Sequence, residues 1–321
     1  MKGAFEAVEN TMTKDIHFWC DNLLFRLFTV HYWAFYLNRH KNRTIFSSNS
    51  TFFYDLLPWL GAQNRRIELL HNFTYGKKGM EFFGFANYQY LDLRITVDAF
   101  TAQNIRDQYQ QAGISDIYVE RIKTIEPGVA IPATQIEKDA SPLRILYAGR
   151  GGPQKRVWLI DKIAAHCYER KWDVEFHFAG DMADELSEGV KGKSIMHGLI
   201  SDPLEMKQLY ALVHVIILTS AYEGFPMVIK EGMANGCIPL VTALPGNLTH
   251  LKHLENALLI YELEIEPEII AEGLSNIKTL IENKELGEKL CTNCRNYAQA
   301  HFNQSQFLNA YKIVLENPLK S

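Results

Sequence analysis

Hydrophobic and polar positions follow two periods along most of the chain. From residue 144 onward, "RILYAG" (144–149), "VEFHFAG" (174–180), "IMHG" (195–198), "VHVIILTS" (213–220) and "CIPLVTA" (237–243) are short runs rich in β-branched and aromatic residues. Between them, "KRVWLIDKIAAHCYERK", "DPLEMKQLYALV" and "PMVIKEGMANG" carry apolar residues at helical spacing. Strands that are apolar on both faces, alternating with helices, predict a parallel sheet covered on both sides. A looser version of the pattern precedes it. "TIFSSNS" (44–50), "RIELLHNF" (66–73), "LRITVD" (93–98) and "IKTIEPG" (122–128) read as strands, and "TAQNIRDQYQQAG" (101–113) as a helix closed by Gly113. The polar, proline-containing stretch "PATQIEKDASPL" (132–143) separates the halves and reads as a linker. The expected architecture is therefore α/β, with two Rossmann-like domains facing a cleft.

One segment does not fit this alternation. "HFWCDNLLFRLFTVHYWAFYL" (17–37) is apolar nearly all round a helix, and Asp21, Arg26 and His31 make it a poor membrane span. Deep burial in the fold or against a partner is the favoured reading. The basic run "NRHKNR" (38–43) that follows leaves contact with an anionic membrane surface as the alternative.

Composition narrows the class. The chain has 321 residues, 47% of them hydrophobic and 22% charged, which describes a folded protein long enough for two domains. A formal net charge of −4 argues against nucleic acid as an electrostatic partner. Five scattered cysteines and the lack of a visible signal peptide fit a reducing cytoplasm. Without a secretory signal, the sequons at Asn49 and Asn72 read as chance, and Cys291 and Cys294 read as two thiols on an amphipathic helix.

Candidate chemistry lies at the strand ends, because open α/β sheets bind ligands beyond the carboxyl ends of their strands. After "RILYAG" comes Arg150-Gly-Gly-Pro-Gln-Lys155, a glycine-rich turn with two cations ahead of a helix. Backbone amides, the helix dipole and both cations suit a diphosphate there, although an ordinary solvated turn has the same composition. The turn is neither a Walker loop nor a dinucleotide Gly-x-Gly-x-x-Gly. After "VHVIILTS" comes "SAYEGFPMVIKEGMANG" (220–236), with Glu223 and Glu231 on either side of an apolar run. Gly224 permits a sharp turn and Pro226 suits the first helical position. A carboxylate can accept hydrogen bonds from two hydroxyls of one sugar, which gives these acids a use that a buried βα junction does not.

These residues resemble the Glu-x7-Glu motif of retaining glycosyltransferases of the GT-B fold, family four. "YAGR…K" (147–155), with Gly149, resembles that family's diphosphate site. "HGLISDPLEMKQLYALVHVIILTSAYEGFP" runs in the family's register from the base-binding loop to the sugar site, and "CRNYAQAHFNQSQFLNAYKIVL" (294–315) resembles its closing helices. The likeness covers 141–315 well and 44–140 less well. In the weaker part, "IEPGVAIP" resembles the linker and "LLHNF" the loop that carries a functional histidine. Nothing in residues 1–40 resembles the family's first strand and glycine loop, and Asp98 stands where the family usually has serine.

The resemblance implies an acceptor-side domain over 1–138 that lacks its first strand, a donor domain over 139–300, and a C-terminal helix, 301–321, that crosses back. It implies that Arg150 and Lys155 hold a nucleotide-sugar diphosphate, that Glu231 takes the ribose hydroxyls and that Ile200 lies against the base. Glu223 and the amides of Gly224, Phe225, Pro226's neighbour Met227 and the helix start would hold the hexose. Glu223 and His71 are the catalytic candidates; a core or capping role explains His71 equally well. The implied partners are a nucleotide-sugar donor and a glycan, lipid-linked or small-molecule acceptor. No Asp-x-Asp occurs, so neither a metal nor any other cofactor is expected. A donor-binding interaction subunit without activity, a sugar-nucleotide epimerase and a pyridoxal phosphorylase are the alternatives. A nicotinamide oxidoreductase fits least, because cations stand where an acidic ribose ligand should follow.

Overall fold

The computed structural model describes residues 23–71, 79–134, 138–139 and 141–316. The chain forms two compact units, Met1–Glu126 with Ser305–Ser321, and Pro127–Gln304. The division at Glu126–Pro127 falls ahead of the stretch at 132–143.

Unit 1 holds a four-stranded parallel sheet in the order β1-β2-β3-β4. Its strands are β1 (Thr44–Ser48), β2 (Arg65–Leu70), β3 (Leu93–Thr96) and β4 (Ile122–Thr124), each inside or within a residue of its expected run. Ile67, Leu69, Leu70, Leu93 and Ile95 are buried. Among them sits a charged pair. Glu68 and Arg94 are register partners on β2 and β3, and Arg94 Nε lies 2.9 Å from Glu68 Oε2 with both side chains buried. The Tyr54 hydroxyl donates to Glu68, and Arg94 Nη1 donates to the Tyr109 hydroxyl at 3.1 Å. Asp98 caps the helix Ala99–Gln111 by accepting from the Thr101 amide at 2.6 Å, which gives the aspartate a local reason to be there.

The helix Leu23–Asn38 is buried by the fold along one stripe only, where segment 17–37 was expected to be covered nearly all round by the fold or by a partner. Val30 and Ala34 are buried, and Trp33 and Leu37 pack beside them against Phe53, Tyr54 and Leu57. The opposite stripe faces outward, with Phe28 69% and Phe35 60% exposed. Hydropathy could not separate the two faces because both are apolar. Residues 17–22 of that segment, and Asn72–Phe73 of the second expected strand, lie outside the described residues. Among the described residues no helix is long and apolar enough to cross a membrane.

Unit 2 holds a six-stranded parallel sheet in the order β10-β9-β8-β5-β6-β7. The strands are β5 (Leu143–Ala148), β6 (Val174–Ala179), β7 (Ile195–Gly198), β8 (Val215–Leu218), β9 (Ile238–Thr242) and β10 (Leu258–Ile260). From β5 the chain winds outward through β6 and β7, then returns to β5's other side with β8 and winds the opposite way. Strands β8, β9 and β10 are buried throughout, as expected of strands covered on both faces. Burying each Ile, Leu or Val there contributes roughly 1.5–3 kcal/mol. The helices Val157–Glu169, Glu266–Glu282 and Lys284–His301 turn buried stripes toward the same core. Cys167, Cys237, Cys291 and Cys294 are free thiols.

Candidate functional site

The winding direction reverses between β5 and β8, which are hydrogen-bonded neighbours. Loops leaving the carboxyl ends of such a strand pair diverge and leave a crevice. Here those loops are Gly149–Arg156 after β5 and Thr219–Pro226 after β8. They are the two stretches that carry the candidate cations and carboxylates.

The β5 loop is held from below. The Gly149 amide donates to Ala179 O at 2.9 Å, the Gly151 amide to Asp181 O at 2.7 Å, and the Gly152 amide to the Glu185 carboxylate. Gly152 has φ +115°, which an L side chain rarely adopts, so glycine is required at this bend. The Tyr147 hydroxyl donates to Arg150 O, while the Arg150 side chain is exposed. Arg156 caps the helix Val157–Glu169 in the left-handed conformation, at φ 50° and ψ 46°.

Arg156 also stitches the two loops together. Its buried guanidinium donates to Thr219 O at 2.6 Å, Ser220 O at 3.0 Å and Leu263 O at 2.6 Å. The Ala221 amide donates to Gln154 O at 2.8 Å, and Gln154 Nε2 to Tyr222 O at 2.9 Å. Lys155 Nζ then forms an ion pair with Glu223, with side-chain exposures of 18% and 13%. Glu223 is therefore not a solvated surface acid, and Lys155 is not an ordinary surface cation.

Beyond Glu223 the chain turns through Gly224 and Phe225 into the helix Met227–Ala234, with Pro226 as its cap. Proline thus stands one position before the first helical residue and not at it. Among the described residues the amides of Gly224 and Phe225 make no backbone hydrogen bond. Gly246 supports the turn, since a Cβ there would strike the carbonyls of Gly224 and Glu223. The Phe225 ring packs 4.5 Å from His250 and 5.4 Å from Phe302. Glu231, one turn into the helix, accepts from the Tyr210 hydroxyl at 2.8 Å, and burial pushes its carboxyl above the ordinary range.

Arg150, Lys155, Gly149, Glu223, Gly224, Phe225, Pro226, Met227 and Glu231 thus all belong to the crevice after β5 and β8 or to the helix that leaves it. Ile200 follows β7 and packs partly against the unit 2 core. His71 belongs to unit 1, just past β2. Its amide lies 3.4 Å from Asn49 Oδ1, and partial burial lowers its ring pKa. Arg156, Tyr210 and Gly246 were not foreseen. Arg156 could have been suspected as a third cation in the same turn; a lone tyrosine and a lone glycine on other elements carry no such signal.

Residues 142–279, somewhat less than half the chain, match the family model "Glycosyl transferases group 1". An uncharacterized glycosyltransferase of Methanocaldococcus jannaschii is 26% identical over 182 residues, covering 54% of this chain and 45% of that protein. The lipopolysaccharide 1,6-galactosyltransferase of Salmonella typhimurium is 32% identical over 169 residues, covering 48% of this chain and 43% of that enzyme. The matches span less than half the length of either relative. Among solved structures, Anabaena HepE in complex with UDP and glucose superposes with a TM-score of 0.69 at 18% identity, covering 92% of this chain and 83% of that one. The chain is therefore an α/β protein of two parallel sheets, matching the fold of GT-B glycosyltransferases, and its residues 142–279 carry the group 1 glycosyltransferase signature.

Proposed function

We propose that this chain is a retaining glycosyltransferase that moves a hexose-type sugar from a nucleoside-diphosphate sugar to an acceptor hydroxyl in glycan or polysaccharide synthesis. The observation that carries this reading is the pairing of Lys155 with Glu223 across the β5/β8 switch point, with Glu231 one helical turn further on. Cations suited to a diphosphate and carboxylates suited to sugar hydroxyls converge there, where an α/β sheet receives its ligand. The Salmonella relative, named for galactosyl transfer, and HepE, solved with UDP and glucose, support the same substrate class.

In this reading Arg150 and Lys155 hold the diphosphate and offset the charge that grows on it as the glycosidic bond breaks. Glu231 accepts from the ribose hydroxyls, and Ile200 lies against the base. The Gly224, Phe225 and Met227 amides and Glu223 hold the hexose, with Glu223 nearest the positive charge that develops at the anomeric carbon. His71 keeps the catalytic role that the resemblance gives it. A lowered pKa leaves it neutral near pH 7, able to donate or accept a hydrogen bond. The cations stand in for a metal, and the reaction takes place in the cytoplasm.

The test begins with a thermal-shift panel of nucleotide sugars with and without EDTA, since a ligand that binds the native form raises the melting temperature. The best donor is then offered to candidate acceptors, and the anomeric configuration of the product is read by NMR. A stabilising donor in EDTA and retained configuration are expected. A folded protein that no nucleotide sugar stabilises, or a product of inverted configuration, overturns the proposal.

A further inference from the structure

The outward face of the helix Leu23–Asn38 has no role in the proposed chemistry. Phe25, Phe28, Tyr32 and Phe35 recur at alternating steps of three and four, so they form one stripe along the helix. They are 54%, 69%, 53% and 60% exposed. Isolated exposed aromatics are ordinary, but a continuous stripe of four marks a contact surface.

The stripe runs into a cluster of cations. Arg39, next in the same spacing, lies with Cζ 4.4 Å over the Phe35 ring. Lys41 and Arg43 follow, and all three are exposed. Residues 22–54 contain no Asp or Glu. Arg26 is taken by Asp55, whereas Arg39, Lys41 and Arg43 have no carboxylate partner among the described residues.

An aromatic stripe ending in unpaired cations, on a helix whose other stripe is anchored by Val30 and Ala34, fits one surface in both of its properties. We propose that this face docks on an anionic phospholipid bilayer. The helix lies in the interfacial plane, with the aromatic rings at headgroup depth and Arg39, Lys41 and Arg43 on lipid phosphates. A protein partner would need an acidic rim matched to these cations, and a second copy would bring its own cations against them.

The test uses the full chain in flotation assays with phosphatidylcholine vesicles, with and without phosphatidylglycerol. Binding only to the anionic vesicles is expected, with loss as salt rises. Arg39→Gln/Lys41→Gln/Arg43→Gln should weaken it on the order of a hundredfold. Phe28→Ser/Phe35→Ser should weaken it at least about tenfold. Ile117→Ser, an exposed apolar residue of unit 1 off this helix, should leave it unchanged. Melting temperatures matching the parent establish that the variants fold. Absence of vesicle binding, equal binding to neutral vesicles, or binding unaffected by the aromatic pair overturns the proposal. A dimer that the aromatic pair converts to monomer, without vesicle binding by the parent, assigns the face to a second copy instead.

Discussion

Lys155 and Glu223, 68 positions apart in sequence, meet as a largely buried ion pair that ties the loop after β5 to the loop after β8. A cation suited to phosphate and a carboxylate suited to a sugar are thus each other's partner. In the proposed function donor binding has to rearrange or share that pair, and this sets a sign for mutational tests.

Glu223→Gln should bind nucleoside diphosphate more tightly than the parent, by about fivefold. It frees Lys155 and removes a negative charge beside the phosphates, a change worth about 1 kcal/mol even with the screening of bulk water, for charges roughly 4 Å apart. Turnover should nevertheless fall, because in the proposed function the carboxylate acts on charge that develops only as the glycosidic bond breaks. Calorimetric titration with diphosphate, paired with a transfer assay, measures both. Weaker diphosphate binding would show that Glu223 itself contacts the nucleotide.

Lys155→Ala should lose tenfold or more in diphosphate affinity while free nucleoside binding holds, since a charge-assisted contact is worth about 1.5–3 kcal/mol. Arg150→Ala should act in the same direction but less, because it leaves no uncompensated carboxylate behind. Adding Glu223→Gln to Lys155→Ala should restore part of the loss, and a double-mutant cycle by titration reads the coupling. Equal losses for nucleoside and diphosphate would move these cations away from the phosphates.

Glu231 carries a pH signature. Burial raises its carboxyl above the ordinary range, so the folded protein holds this proton more tightly than the unfolded chain does. Ionisation therefore costs stability. The cost is absent below the ordinary carboxylic range, grows as pH rises through it, and is complete above the raised folded value. Glu231→Gln should accordingly melt higher than the parent at neutral pH, with the advantage gone in acid, yet bind nucleotide more weakly. Melting curves across pH check this. A variant less stable at neutral pH would mean that the ionised carboxylate is favoured by its surroundings.

Gly246→Ala should damage the site without touching it. The added methyl has no room against the Glu223 and Gly224 carbonyls, so the turn must move. Binding of intact nucleotide sugar should fall, while nucleoside, which depends on the Glu231 helix, binds nearly as before. Parallel titrations of the two ligands decide; equal loss of both would indicate general misfolding.

Arg94→Met should destabilise unit 1 by about 3–5 kcal/mol, because it strands a buried Glu68 charge. Glu68→Met/Arg94→Met should cost clearly less, since both charges leave together. Thermal unfolding of the two variants gives the comparison.

Among the described residues, every strand but β10 and the helices Ala99–Gln111, Val157–Glu169, Pro203–Leu212 and Met227–Ala234 were legible because each announced itself locally, whereas Glu266–Glu282 was not foreseen. An apolar run closed by glycine, such as "VEFHFAG", needs no knowledge of its neighbours. Candidate residues on the β5 and β8 loops were legible for the same reason, as they lie within two short stretches of sequence. What escaped detection depends on contacts between distant segments. The three residues of β10 gain their strand from β9 beside them. The placement of Tyr210 under Glu231, and of Gly246 under Glu223, follows from sheet order and not from spacing. Which face of the helix Leu23–Asn38 the fold covers was not legible, because a segment apolar on every side leaves water readily whichever face is covered. Nothing within either strand marks Glu68 and Arg94 as partners; the register of β2 and β3 puts them face to face.

The Tyr210–Glu231 hydrogen bond has a dimensional consequence. Tyr210 lies seven residues into a helix that begins just after Ile200, with Asp202 capping its start through the Leu204 amide at 2.9 Å. A helix rises 1.5 Å per residue, so a strut of about 10 Å runs from the loop that carries Ile200 to Tyr210, the residue whose hydroxyl holds Glu231. The strut works as a gauge. In the proposed function it sets one spacing between the base and ribose contacts, and a single residue inserted between Asp202 and Tyr210 would turn the tyrosine about 100° away from Glu231.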